Sequence, residues 1–482
     1  MHTSTVRILR DFVFIVAVLL ALVAAASAQA PKPPARRADP EDDQEQRIKE
    51  LEEQVDRLNR ETRDHEAGID ILKRYPLAQW KDGFIINSAD NAYKLRISGY
   101  THFDGRFFID DDDDGDTNKF LFRRVRLSFD GTVARYFEFR IMPDFANSQL
   151  ALFDAYTDII YFPDFKLRIG KFKPPVGLER LESATALEFA ERSLPTNLVP
   201  NRDLGVQLWG EPWNGQVTYA FGIFNGAQDG QNNDGEVNDD KDFAGRVFLH
   251  PLRNTSWSNT FENLGVGIAG TFGHERGTAS NPDLPQYRSA GQATIFRYNA
   301  GTAATAANTA VAAGDRWRIS PQTYFYYGPF GLMGEYAISA NEVSFDTEHE
   351  TLEHSAWQIS TSYVLTGEPA TFRGILPFKP FNPFFGQWGW GAWEVAFRAG
   401  QLFIDKDAFN KGFADKKRSV QRADEVQVGL NWYLNRNIKV VLDYAHTNFD
   451  GGASKPGATA GTTVVGNREV EHVIFTRLQL VF

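Results

Sequence analysis

Ten basic residues fall where they could replace the water shell of an anion. Arg124, Arg126, Arg140, Lys166, Arg168 and Arg477 lie in segments that alternate apolar and polar residues, so each belongs to the polar face of a strand. Lys173, Arg180, Arg192 and Arg202 sit in or beside the long connection 174–203. Guanidinium and ammonium donors suit phosphate-like anions, and such groups set selectivity in a narrow aqueous passage. The same connection carries Glu179, Glu182, Glu188, Glu191 and Asp203. Taken singly, each cation reads more simply as half of an ion pair. Taken together, the ten read as the lining of a basic passage.

Other chemistry finds no support. There is no phosphate-binding P-loop, no H-E-x-x-H and no G-x-S-x-G. The nine histidines show no metal-ligand spacing, and the absence of cysteine excludes a disulfide scaffold and a thiolate zinc site. Asp110-x-Asp112-x-Asp114-Gly115 opens like a calcium loop, but Leu121 stands at the twelfth position, where that loop needs a bidentate Glu. Only loose divalent binding remains there, of the kind that bridges lipopolysaccharide phosphates. No enzyme activity and no cofactor are expected. A formal charge of −11 argues against nucleic acid as a partner. Part of that charge lies in Asp110–Asp114 and Asp239-Asp240, within polar connections far from the basic set.

Composition indicates what positions these residues. The chain has 482 residues, 39 Phe, 16 Tyr, 10 Trp and 40 Gly, yet a mean hydropathy of −0.37. A membrane β-barrel needs that mixture, with an apolar outer face, a polar lumen and aromatic girdles. From residue 92 onward apolar residues recur at every second position, as in Val426, Val428, Leu430 and Trp432. Strands are expected at 93–108, 119–131, 135–146, 150–162, 166–173, 204–212, 216–225, 241–250 and 262–273. Seven more are expected at 314–327, 330–341, 355–366, 390–405, 423–434, 437–449 and 468–482. Tight joins alternate with long polar joins at 109–118, 174–203, 226–240, 274–313, 342–354, 406–422 and 450–467, as periplasmic turns and external loops would. Two joins break that rule: 147–149 is short and 366–389 is long. Tyr324–Tyr327 and Trp388, Trp390 and Trp393 read as interfacial girdle. Phe482 closes a last strand bearing Ile474, Leu478 and Leu480. The fold class is therefore all-β: a transmembrane barrel of about 16 antiparallel strands, favoured over a secreted sandwich. Connection 174–203 contains Leu178, Leu181, Leu187, Phe189, Leu194 and Leu198, too much apolar surface for a solvated loop. It is expected to fold inward and narrow the lumen.

The amino terminus supplies an address. Residues 1–28 read as a cleaved secretory signal: Arg7 and Arg10, an apolar core Phe12–Ala26, then Ala26-Ser27-Ala28. Residues 29–43 form a Pro-rich spacer. Residues 44–74 carry Ile48, Leu51, Val55, Leu58, Ile69 and Leu72 at spacings of a coiled-coil seam, weakened by Thr62 and His65. That segment reads as a short N-terminal coiled-coil helix, a periplasmic stalk preceding the barrel domain 84–482.

The segments Arg168-Ile-Gly-Lys-Phe-Lys-Pro-Pro-Val-Gly-Leu-Glu, Phe189-Ala-Glu-Arg-Ser-Leu and Asn201-Arg-Asp-Leu-Gly-Val-Gln resemble the phosphate-selective porin O and P family. Phe122-Arg-Arg-Val-Arg-Leu, Gly328-Pro-Phe-Gly-Leu-Met-Gly-Glu-Tyr and Gly391-Ala-Trp-Glu-Val-Ala-Phe-Arg extend the resemblance over roughly 93–482. It implies a trimeric 16-stranded outer-membrane barrel with the third external loop bent inward, and a path of basic side chains. The expected function is passive diffusion of small anions, phosphate or polyphosphate among them. Alternatives are a porin for neutral or mixed solutes such as sugars, or an envelope tether through the stalk. Expected partners are outer-membrane lipid and lipopolysaccharide, two further copies in a homotrimer, and peptidoglycan or a periplasmic protein at the stalk.

Overall fold

The computed structural model describes residues 47, 49–63, 77–109, 117–235, 239–301, 308–383, 388–452 and 470–482. The chain divides into two units, Met1–Arg74 and Tyr75–Phe482. In the first, residues 49–63 are helical, and Leu51, Val55 and Leu58 of the expected seam are 58%, 53% and 60% exposed. The expected signal 1–28, the spacer 29–43 and the remainder of the stalk lie outside the described residues.

The second unit begins with a hairpin, β1 (Leu77–Trp80) and β2 (Phe84–Asn87), whose second strand pairs with the start of β3 (Lys94–Phe108). The wall continues through β4 (Lys119–Val133), β5 (Phe137–Asp144), β6 (Ala151–Phe162), β7 (Phe165–Phe172) and β8 (Asp203–Gly210). It proceeds with β9 (Val217–Phe224), β10 (Asp242–Leu249) and β11 (Asn263–Arg276). A separate small hairpin, β12 (Gln286–Arg288) and β13 (Thr294–Arg297), interrupts the series. The wall resumes with β14 (Val311–Tyr327), β15 (Phe330–Phe345), β16 (Glu348–Val364) and β17 (Ala392–Phe403). It ends with β18 (Val420–Tyr433), β19 (Ile438–Gly451) and β20 (Val470–Val481). Strands β3–β11 and β14–β20 make sixteen, each antiparallel to its neighbours, and β20 pairs with β3 to close the barrel.

Period-2 alternation builds two unlike faces. Ile319, Ile359, Val428 and Leu442 are exposed on the outside, while Arg318, Gln358, Gln427 and Asp443 on the same strands are buried within. Aromatic pairs mark the barrel end that carries the short turns: Tyr136 stacks on Tyr161 at 4.5 Å and Trp393 on Trp432 at 5.0 Å. Tyr324 and Tyr326 correct the girdle expectation. They point inward, Tyr324 onto Phe248 and Phe372, and Tyr326 into a cluster with Val364 and Tyr433. Only Phe325 and Tyr327 of that run take the outward positions, because four consecutive aromatics on a strand must split between its faces.

Two connections depart from expectation. Only Asp346 and Thr347 separate β15 from β16, whose register runs unbroken from Phe330↔Tyr363 to Phe345↔Glu348. The expected loop 342–354 is a strand pair continued past the apolar band, where the outer face turns polar while Val343 and Leu352 stay buried inside. The long join after β16 is real. It turns back into the lumen, where Ala370 donates to the Gly328 carbonyl at 2.9 Å and Phe372 stacks on Tyr324 at 5.2 Å. The short join 145–150 is accommodated by left-handed Asn147 and Ser148 (φ 56° and 57°).

The closing seam carries a buried pair: Arg477 donates two hydrogen bonds to Asp104, both 2.7 Å. Removing one partner of such a pair leaves a buried charge uncompensated. Arg477→Ala is expected to destabilise the folded barrel by about 3–5 kcal/mol. The check is the temperature at which its gel mobility in detergent shifts from folded to unfolded.

Candidate functional site

The connection between β7 and β8 folds inward and lies against one side of the lumen. Its docking is polar and specific. The Leu178 and Glu179 amides donate to the Glu335 carboxylate at 2.6 and 3.2 Å. Arg398 reaches Glu179 at 3.1 Å and the Glu191 carbonyl at 3.1 Å. Asp443 accepts from the Ala190 amide at 2.6 Å, and Lys439 donates to the Leu187 carbonyl at 2.7 Å. Gly429 on β18 makes room for Phe189, whose ring would lie 3.1 Å from any Cβ there. Apolar contacts complete the seat: Leu178 packs with Phe248 and Met333, while Leu194 and Leu198 join the largest buried cluster.

At its other edge the loop is held by Glu191. Arg123 donates to both carboxylate oxygens at 2.6 and 3.1 Å, and Arg106 adds a bond at 3.3 Å. Burial alone would raise the Glu191 carboxyl, but Arg123, Arg124 and Arg106 outweigh it and hold the group well below the usual carboxylate range. Arg123 reaches it through a bulge. The β3–β4 register slips between His102 and Phe103, leaving Arg123 as an extra residue, so Arg123 and Arg124 both serve the lumen.

Between the loop and the wall of β3–β10 lies a cavity of about 880 Å³. Twelve basic side chains line it against three carboxylates, Asp82, Asp154 and Glu191. Several of the bases are tied to acids: Arg126 to Asp144 at 2.7 Å, Arg140 to Asp130 at 2.6 Å, Arg168 to Asp158 at 2.8 Å and Arg202 to Asp154 at 3.1 Å. Others meet only neutral acceptors among the described residues. Arg124 donates to His102 Nδ1 at 3.1 Å, Lys173 to the Glu182 carbonyl at 2.9 Å and Arg246 to Gln322 at 3.0 Å. Arg180 donates to the Thr196 carbonyl and Arg192 to the Glu179 and Glu182 carbonyls. Aromatic faces also hold two of the acid-paired cations in place, with Arg126 3.9 Å from the Phe153 ring centre and Arg168 4.1 Å from that of Tyr156.

The structure brings eight of the ten sequence-selected bases to this cavity: Arg124, Arg126, Arg140, Arg168, Lys173, Arg180, Arg192 and Arg202. Lys166 and Arg477 stand apart from its lining. Lys166 rests over the Trp209 ring at 4.3 Å, and the Arg477 charge is taken up by Asp104. Arg96, Arg123, Arg246 and Arg288 line the cavity without having been selected. Arg96 and Arg246 alternate with apolar residues and were legible by the rule that found the others. Arg123 depends on the bulge. Arg288 depends on the β12–β13 hairpin, joined to the loop by reciprocal 3.0 Å bonds with Asn197.

A closed barrel with an apolar outer belt and a basic lumen narrowed by its own loop is an outer-membrane porin for small anions. The sequence pattern of the family described as phosphate-selective porin O and P matches residues 95–482. Porin O of Pseudomonas aeruginosa is 23% identical over 437 residues, covering 83% of this chain and 91% of that protein. Among solved structures, an anion-selective porin from Comamonas acidovorans is similar at 12% identity, 81% of this chain, 100% of that chain and a TM-score of 0.49. Salmonella typhi OmpF is similar at 11% identity, 84% of this chain, 100% of that chain and a TM-score of 0.49. The chain belongs to the phosphate-selective porin O and P family.

Lys173 gives the cavity a pH signature. Burial, with the charges of Arg192, Arg202 and Arg180, holds its ammonium well below the ordinary lysine value. A lowered lysine is charged at low pH and discharges early as pH rises. Anion preference is therefore expected to fall as pH rises, at a lower pH than ordinary lysines titrate. Reversal potentials measured as pH rises should show that early fall in the native protein and no such fall in Lys173→Arg, which stays charged.

Proposed function

We propose that the protein passes phosphate and polyphosphate through the outer membrane by passive diffusion, along the cavity between the inward loop and β3–β10. The observation that carries this reading is the imbalance of twelve bases against three carboxylates, with Arg124, Lys173, Arg180, Arg192 and Arg246 turned to neutral acceptors. A guanidinium satisfied by a carbonyl or imidazole keeps its full charge for a passing solute. One paired with a carboxylate does not. An anion leaving bulk water needs such donors to replace its shell, and several in succession let it enter and leave without being trapped. Arg126, Arg140, Arg168 and Arg202 supply the flanking field, their charge shared with the wall.

In the same proposal residues 1–28 are removed on export, and 44–74 form a periplasmic stalk joined in parallel between three protomers. The bare Leu51, Val55 and Leu58 stripe supports a partnered helix. Phosphate as the preferred solute rests on the resemblance to relatives described as phosphate-selective and on the guanidinium chemistry of the lining.

The test is planar-bilayer conductance with reversal potentials in a salt gradient. The native protein is expected to prefer anions and to lose chloride conductance when phosphate is added. Arg124→Ala, Arg126→Ala and Lys173→Ala together should lower the anion-to-cation permeability ratio by roughly fivefold or more. A cation-preferring or unselective native pore would overturn the proposal. Deleting 41–74 should leave single-protomer conductance unchanged while weakening the trimer in gel filtration.

A further inference from the structure

The lipid face of the barrel is not uniformly convex. On β10 and β11 the outward positions Gly245 and Gly270 stand directly opposite one another. Their neighbours in the same row are Phe221 on β9 and Ile319 on β14, and the next row outward along the strands is Ile223, Phe243, Phe272 and Trp317. Two adjacent glycines leave the wall bare of side chains between large ones. The result is an apolar groove of about 770 Å³ in the outer face, with Phe221, Phe243 and Phe272 each about half exposed at its sides.

Height and charge indicate what fills it. Strand β11 runs from the end bearing the short turns to the end bearing the long loops. Arg276 lies six residues beyond Gly270, roughly 20 Å along the strand. With the strand tilt of membrane barrels, about 40°, that is roughly 15 Å of height. Half of a hydrocarbon core is also about 15 Å. With Arg276 at the headgroups of the outer leaflet, the glycine pair lies near the bilayer midplane. The Arg276 side chain is 72% exposed, 4.0 Å from Asp240 and 3.3 Å from His274 Nε2, which leaves its remaining guanidinium donors to the lipid phosphates. His274 lies below it on the same outward row and bonds to Asp315 at 3.0 Å.

We infer that this groove is a lipid site, holding the end of an acyl chain of a phosphate-bearing outer-leaflet lipid of the lipid A type, with Arg276 at the level of its phosphates. The inference rests on the barrel being an outer-membrane porin, and adds to it a defined lipid position distinct from the conduction path. Neither Gly245 nor Arg276 borders the basic cavity. A chain laid over bare backbone fills space that bulk lipid would otherwise pack poorly, and the cation fixes which lipid supplies it.

The experiment is native mass spectrometry of the protein extracted from outer membranes in mild detergent, with lipid A as the species measured. The native protein is expected to retain about one lipid A per protomer after detergent exchange. Gly245→Leu places side chain where the acyl chain lies, next to the Phe221 ring. It should lower retention about tenfold with conductance and anion preference unchanged. Arg276→Ala should lower retention as well, and decides the matter alone if Gly245→Leu does not fold. Equal retention by Arg276→Ala and the native protein overturns the inference, as does a native protein that retains no lipid A or retains only phospholipid. Cross-linking of the Phe243→Cys variant to a second protomer also overturns it, because the groove would then be a subunit contact. None of these failures would touch the anion preference read in the bilayer.

Discussion

The channel depends on how the carboxylates of the inward loop are taken up. Counted along the chain, residues 174–203 hold five acids against three bases, and a solvated loop of that composition would offer an anion nothing. Folded, the two sets separate. Glu179 turns to Arg398 and to the Ser193 amide at 2.7 Å, Glu191 to Arg123 and Arg106, and Asp203 to the Gly226 and Ala227 amides at 2.8 and 2.7 Å. Lys173, Arg180, Arg192 and Arg202 border the cavity. These contacts take Glu179 and Asp203 out of the cavity lining, and Glu191, which stays in it, is offset by Arg123 and Arg106. Net charge says little about such a pore, because its field is set by the few groups on a narrow, low-dielectric passage.

The barrel is correspondingly lopsided. Over β15–β18 the lumen is filled: Tyr287, Ile295 and Phe296 of the small hairpin pack with Phe409 and Phe413 of the β17–β18 connection against Val343 and Leu352. From the opposite end the β16–β17 connection brings Ala370, Phe372 and Ile375 inward against Tyr324, Tyr326 and Tyr433. Loops from both ends thus seal one side and leave the other, β3–β10, as the route for solute. That route lies where the strands carry most arginines and where the bulge on β4 adds one more. Sealing by apolar clusters also keeps the loop rigid, which a fixed constriction requires.

The seat of the loop is made of buried polar contacts more than of apolar area. Glu335, Arg398, Lys439 and Asp443 come from three different wall strands, and each meets a backbone group or carboxylate of the loop. Buried groups of this kind contribute uncertain net stability, but they penalise any other seating strongly, since every misplaced loop leaves a charge unpaired. Specific placement of the constriction is what the arrangement achieves.

The sequence by itself determined the barrel, its strand number and the inward loop. A lipid-facing strand must alternate apolar and polar residues, and a loop holding Leu178, Leu194 and Leu198 must bury them. Most of the cavity bases were legible for the same reason: alternation tells which side chains face the lumen. Tertiary structure alone decided which of those bases keep an unshared charge. Arg477 and Arg124 are alike in the sequence, yet one faces Asp104 across the closing seam and the other faces His102. It decided the place of Arg123, because a register slip has no local signature. It also decided that 342–354 continues a strand pair, because polarity marks where lipid ends and not where a strand does. Pairing across a barrel joins residues hundreds of positions apart, and a one-dimensional pattern records the face of a side chain but not its partner.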